Sequence, residues 1–396
     1  MNHLSIGKNL PSKPLVLVAV GAALSLFGDM ALYAILPIHF SALGLNPIHV
    51  GILLSANRWI RLLTNHLAEK LSGKIDNSIL LLAALITGSV LAVIYGFMPP
   101  FWLFLSGRLV WGFSWSVIRQ IGIMTSVSLS EKDSVGRTLG FYNGITRLGS
   151  MAGILLAGIL FDAGGFSRAL FIAAGISLTA APFGYAGYKM AHVHLKGRSE
   201  SFKEKEISLK PSLLIQSIIV GGIGRGVVMS TLGYILVQRV GENITFEGIV
   251  IGVATINGVI LASKNIISSV LSPLLGAVSD YLGSQKSLTL FFFLGAVSMG
   301  LSVFTRSLFP LIFLIMIFFI SDTSLIISLS SIAVKKGPES YASLATGFDF
   351  GAAIGPLLSW TLVEIVSTSS LSLAVGAVLY SAGFVLSLHR KRDKQS

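Results

Sequence analysis

Ten ionisable side chains fall inside stretches that are otherwise apolar: Asp29, Arg58, Arg61, Arg108, Arg119, Arg147, Arg225, Lys264, Asp322 and Asp349. A charge at membrane depth is costly, so such residues mark a pathway or a binding site by default. Guanidinium forks suit carboxylate or phosphate, and they stay protonated, so burial cannot neutralise them. A buried carboxylate can titrate, because burial disfavours its charged form. The set therefore suits anion binding by arginines and proton carriage by acids. Before residue 192 five of these arginines accompany one aspartate, whereas after it two cations match two acids. Something anionic should visit the first group, or water must fill it. The substrate-binding candidates are Arg119, Arg108, Trp115, Arg58, Arg61, Arg225 and Tyr234, and the proton-carrying candidates are Asp29 and Asp322. Arg108, Gly112, Trp115 and Arg119 recur on one helical face, and Arg119 is expected to meet the anionic group. The structural alternative is that some arginines bond backbone carbonyls or hold helices together. A pair between Arg147 and Asp349 would be such a latch.

The elements that carry these residues must be transmembrane helices. The chain has 396 residues, 53% hydrophobic and only 12% charged, against about 25% charged in a soluble protein. Twelve apolar runs are legible, at about 14–42, 48–69, 78–98, 101–129, 137–161, 166–191, 212–238, 246–274, 287–305, 308–334, 341–365 and 369–389. They do not alternate as barrel strands do, so they are helices with internally bonded backbones. The polar segment near mid-chain divides them into a first half (1–191), a linker (192–211) and a second half (212–396). Nineteen Lys and Arg lie on the side holding both termini and three, Arg168, Arg239 and Arg306, on the other. The positive-inside rule then puts both termini in the cytoplasm, and the net charge of +12 reflects topology and anionic lipid. No basic soluble domain is present to bind nucleic acid. With no cysteine, no metal-spaced histidines and no nucleophile or cofactor motif, neither an enzyme, a metal centre nor a cofactor is expected.

Short motifs repeat between the halves. Gly276, Asp280 and Gly283 follow the eighth run, and Asn65, Glu69 and Gly73 follow the second. Both resemble the loop signature G-x-x-x-D-R/K-x-G-R/K-R/K of the major facilitator superfamily, the first copy departing from it with Asn65, Glu69 and a late glycine. The carboxylates are expected to hold helix ends on the cytoplasmic side, as gating residues. Arg108-Leu-Val-Trp-Gly112 resembles that family's fourth-helix pattern. Gly140, Gly149, Gly153 and Gly158 resemble the fifth-helix glycine pattern of its exporters, with Ile154 in place of the proline, and Gly351, Gly355 and Pro356 repeat it in the eleventh run. The physical content of such a pattern is close helix packing.

The resemblance implies an all-α fold of two pseudo-symmetric six-helix halves, with a substrate site between them near the membrane midplane. It implies a cavity lined by the first, fourth, seventh and tenth helices. The expected activity is proton-coupled export of a small organic anion, of the polycarboxylate or carboxylate-siderophore kind, by a monomer in the bacterial inner membrane. Uptake of such anions, multidrug efflux and flipping of an anionic lipid are the alternatives.

Overall fold

The computed structural model describes residues 11–72, 74–130, 134–191, 211–368 and 370–392. The expected linker from 192 to 210 and Gly73 lie outside the described residues. Among the described residues there are twelve helical spans. The first, Lys13–Leu43, bends at Leu26. Then come Pro47–Ser72, Asn77–Gly96 and Phe101–Ser128. The long helix Val135–Leu178 is two spans, divided at Gly165, whose φ of 77° is open to glycine, and the sixth span continues through Ala180–Met190. The second half comprises Pro211–Val240, Val253–Val270 continued by Ser272–Leu282, Ser284–Phe304, Leu308–Val334, Pro338–Val366 and Ser370–Arg392. The inner face below is the one carrying the first and last described residues, and the outer face is its opposite.

The eighth span corrects the sequence reading. Its helix starts at Val253, after a β-hairpin in which Asn243–Phe246 pairs antiparallel with Ile249–Gly252. The two-residue turn, Glu247 and Gly248, has φ of 48° and 83°, the pattern of a tight hairpin turn. Ile249, Val250 and Ile251 are apolar enough to pass for helix by hydropathy, but β-branched residues also suit a strand. The displaced helix runs on to Leu282 after a break at Leu271, so Gly276 and Asp280 lie on it rather than in a loop. Gly283, with φ of 80°, makes the turn into the ninth span.

Glycines set how closely the spans approach. A Cβ on Gly149 would lie 2.5 Å from the Ala23 carbonyl oxygen, and one on Gly153 3.2 Å from Phe27, so the fifth span presses on the first. Gly355 abuts Gly226, and Pro356 touches the same residue, seating the eleventh span on the seventh. Of the fifth-run pattern, Gly149 and Gly153 lie at close helix contacts, whereas a Cβ on Gly140 would meet nothing within 4 Å. Gly276 differs: a Cβ there would meet nothing within 4 Å, so in this conformation it brings no helix ends together.

Candidate functional site

The fourth span places Arg108 against the first. Its Nη1 bonds the Asp29 carboxylate, its Nε donates to the Leu53 carbonyl at 2.8 Å, and the side chain is fully buried. Asn57 donates to the same Asp29 oxygen at 3.4 Å. Asp29 also faces a cleft of about 630 Å³, open mouth included. Its wall is Leu26, Met30 and Tyr33 of the first span, Asn57, Arg58 and Arg61 of the second, Trp115 of the fourth, and Thr146, Arg147 and Ser150 of the fifth. Three arginines and one carboxylate line this space, and the carboxylate is already neutralised by Arg108. The cleft is therefore positive. Arg58 also lies 5.5 Å from the centre of the Tyr33 ring, a cation–π contact.

Several sequence candidates take other places. Arg108 lies behind Asp29 rather than on the cleft wall, because its guanidinium satisfies that acid and a carbonyl. Arg119 shares its helical stripe, but eleven residues further toward the inner face it is exposed, with no ion pair among the described residues. Arg225 lies over the Phe348 ring at 5.5 Å and is not on the cleft wall. Tyr234 belongs to the outer closure, where its ring packs 5.8 Å from Phe40 and 5.4 Å from Trp360. The wall comes from the first, second, fourth and fifth spans, and not from the seventh and tenth.

The second half keeps its acid sealed. Asp322 is fully buried. It lies 3.2 Å from Lys264 Nζ and accepts from the Tyr380 hydroxyl at 2.9 Å. The seventh span is a π-helix over Gly221–Val227, where four glycines weaken α-helical bonding. Val228 N–H bonds the Ile223 carbonyl five residues back. A return to four-residue bonding skips one carbonyl, and the next in line, Gly224, is bonded by Lys264 Nζ at 2.5 Å. Lys264 thus serves both the bulge and Asp322.

Contacts between the halves run from the outer face to mid-depth. Asp162 Oδ2 accepts from Thr255 N–H at 2.7 Å, and Glu364 Oε2 from Ile48 N–H at 3.2 Å. Each carboxylate closes the end of one half's helix onto the free N-terminal amides of a helix in the other. Asn257 Nδ2 donates to the Ala34 carbonyl at 3.0 Å between them. Further in, Arg61 lies 4.0 Å from Asp349, so the partner of Asp349 is Arg61 rather than Arg147, which stays on the cleft wall. Below that level Arg119 is exposed and the interface opens inward. Glu69 and Asp280 are exposed on the inner face, Glu69 within 3.6 Å of His66 Nδ1. Among the described residues neither holds a helix end across the halves, as an open inner side requires.

Tyr33 and Asn57 were legible only as neighbours: Tyr33 is one turn from Asp29, and Asn57 precedes Arg58. Asp162 and Glu364 gave no signal, since the amides they cap lie in the opposite half.

Comparison with known proteins agrees with this architecture. The chain is 22% identical over 335 residues to multidrug resistance protein MdtG of Dickeya zeae (strain Ech586), covering 82% of this chain and 81% of that protein. Among solved structures it resembles a bacterial homolog of the human lysosomal transporter Spinster in an inward-facing, occupied conformation, with TM-score 0.79, 12% identity and 97% and 98% of the two chains covered. A bacterial homologue of the iron transporter ferroportin, inward-facing, gives TM-score 0.69 at 14% identity over 95% and 98%. The family model of the Major Facilitator Superfamily matches residues 18–348. The chain is a multi-pass membrane transporter, not an enzyme, and belongs to the Major Facilitator Superfamily.

Proposed function

We propose that this protein carries a small organic anion across the bacterial inner membrane by alternating access, linked to proton binding at Asp29, with both termini in the cytoplasm. The observation that carries the reading is the cleft wall of Arg58, Arg61 and Arg147, whose one acid, Asp29, is neutralised by Arg108. The clustered cations favour a polycarboxylate over a neutral solute. Arg119, exposed in the open inner mouth, extends the positive field of the cleft toward the cytoplasm. The residue-192 division, the excess of Lys and Arg beside the termini and the exposed inner motifs support the orientation. Reporter fusions after Lys210 and Arg390 should both read cytoplasmic, and a periplasmic signal at either would break the topology.

Electrostatics gives the proposed linkage its sign. A proton on Asp29 removes a negative charge and leaves Arg108 uncompensated, so proton and anion strengthen each other's binding. Coupling through Asp29 then carries both in the same direction, which is uptake under an inward proton gradient. A cation instead competes with the proton at Asp29, and that competition drives exchange. Efflux therefore belongs to a second reading, export of a cationic or lipophilic drug. The likeness to MdtG favours it, as do the apolar wall residues Leu26, Met30 and Trp115. Counterflow in proteoliposomes separates the two. Citrate flux that rises with acid on the entry side supports the anion reading. Tetraphenylphosphonium exchange against protons, without citrate flux, would establish the drug reading in its place.

A further inference from the structure

The second and eleventh spans meet antiparallel between the halves, and two arginines one turn apart on the second reach two positions one turn apart on the eleventh. Arg61 approaches Asp349 at 4.0 Å. Arg58 reaches no acid among the described residues. Its Nη1 donates to the Ala352 carbonyl at 2.5 Å and to the Arg225 carbonyl at 2.8 Å, both in the second half. The Ala352 carbonyl is available for a reason visible in the sequence. In a helix it would accept the N–H of residue 356, and residue 356 is proline, which has none. Arg225 lies within the π-helix, one residue past the carbonyl that Lys264 bonds, and its own carbonyl takes Arg58 as a second donor. Arg58 therefore fills the backbone acceptor that Pro356 leaves open in the opposite half and shares a second at the π-helix, and its guanidinium also lines the first-half cleft.

We infer that Arg58 couples occupancy of the cleft to separation of the halves, because the cleft anion and the second-half carbonyls compete for the same guanidinium. This rests on the anion reading above. A carboxylate pairs with a guanidinium more strongly than a neutral carbonyl does. An anion seated in the cleft draws Arg58 back to the first half, the tether to Ala352 and Arg225 is lost, and the inward-open state loses a contact that holds it. The irregularity at Pro356 sets the strength of the tether. An amide N–H restored at 356 would satisfy the Ala352 carbonyl within its own helix and compete with Arg58.

The absence of native cysteine permits a direct test. Ala34 is fully buried at the outer closure, so Ala34→Cys reports outer opening through its rate of labelling by an impermeant maleimide in nanodiscs. Arg58→Ala should speed labelling by roughly tenfold or more, since it removes both charge-assisted bonds across the halves. Pro356→Ala should speed it in the same direction while leaving Arg58 to bind anion. The double variant should label no faster than Arg58→Ala alone, since the bond that Pro356→Ala weakens is already gone in Arg58→Ala. Citrate should speed labelling when Arg58 is present and leave the Arg58→Ala rate unchanged. If the two substitutions multiply, or if citrate raises the unfolding temperature without changing the labelling rate, the coupling role is overturned while the anion site stands. If citrate neither stabilises the protein nor alters labelling, the anion reading falls and the competition proposed here falls with it. Unchanged labelling in both single variants removes the tether itself.

Discussion

Removing the carboxylates that close the outer face should open it by a calculable amount. Asp162 caps the eighth span through Thr255 N–H at 2.7 Å, and Glu364 caps the second through Ile48 N–H at 3.2 Å. Replacing an N-terminal cap by alanine costs about 0.5–2 kcal/mol, and the attraction of a negative charge to a helix N-terminus adds about 0.3–1 kcal/mol. Each bond joins the halves only when the outer face is closed, so its loss penalises that state selectively. Asp162→Ala should shift the balance toward the outward-open state by about 1–3 kcal/mol, roughly 5- to 150-fold. Glu364→Ala should shift it less, because its bond is longer. Asparagine at 162 keeps an acceptor and loses only the charge, so its shift should be about 0.3–1 kcal/mol, roughly two- to fivefold. The two alanine effects should add, since the caps share no partner. The Ala34→Cys labelling rate reads the shift. Gly252→Ala is an independent check, because a methyl there would displace the Asp162 carboxylate. If Asp162→Ala labels no faster than the parent, the cap does not hold the outer face and the reasoning from helix-end geometry is refuted.

The buried pairs and the exposed arginine should behave differently. Asp29→Asn strands the fully buried Arg108 and should cost about 3–5 kcal/mol in unfolding experiments, with proton-linked transport lost; a normal melting curve would contradict the pairing. Lys264→Met strands Asp322 and the Gly224 carbonyl, so a comparable loss is expected, and unchanged stability would remove Lys264 from the network. Arg119→Ala should leave folding intact and weaken citrate binding by under about 1 kcal/mol, an effect that fades with added salt, because an exposed charge is screened. A salt-independent loss of a hundredfold would return Arg119 to the binding site.

Much of the fold was legible because the bilayer constrains so strongly. Apolar length dictated helices, the polar interruption at mid-chain divided them, and glycine spacing marked where they press together. The intramembrane charges were legible for the same reason, since a charged residue stands out against such a background. The eighth span was misplaced because hydropathy sums over residues and does not register the turn at Glu247 and Gly248.

What the sequence could not contain was the pairing of those charges. Arg108 and Arg119 lie on one helical stripe and read alike, yet one is sealed against Asp29 and the other stands in the open mouth. Depth along the helix relative to the closed outer face separates them, and that depth is set by how the halves meet. Asp349 faced Arg61 rather than Arg147 because the second and eleventh spans run antiparallel in contact, a register fixed by packing at Gly51 against Trp360. Pro356 was visible as a missing donor, but the arginine that fills its carbonyl comes from the other half. The sequence therefore determined which groups needed partners, through the cost of burying charge and open backbone. Only the tertiary structure decided which partners they found, because each comes from a distant span brought near by helix packing.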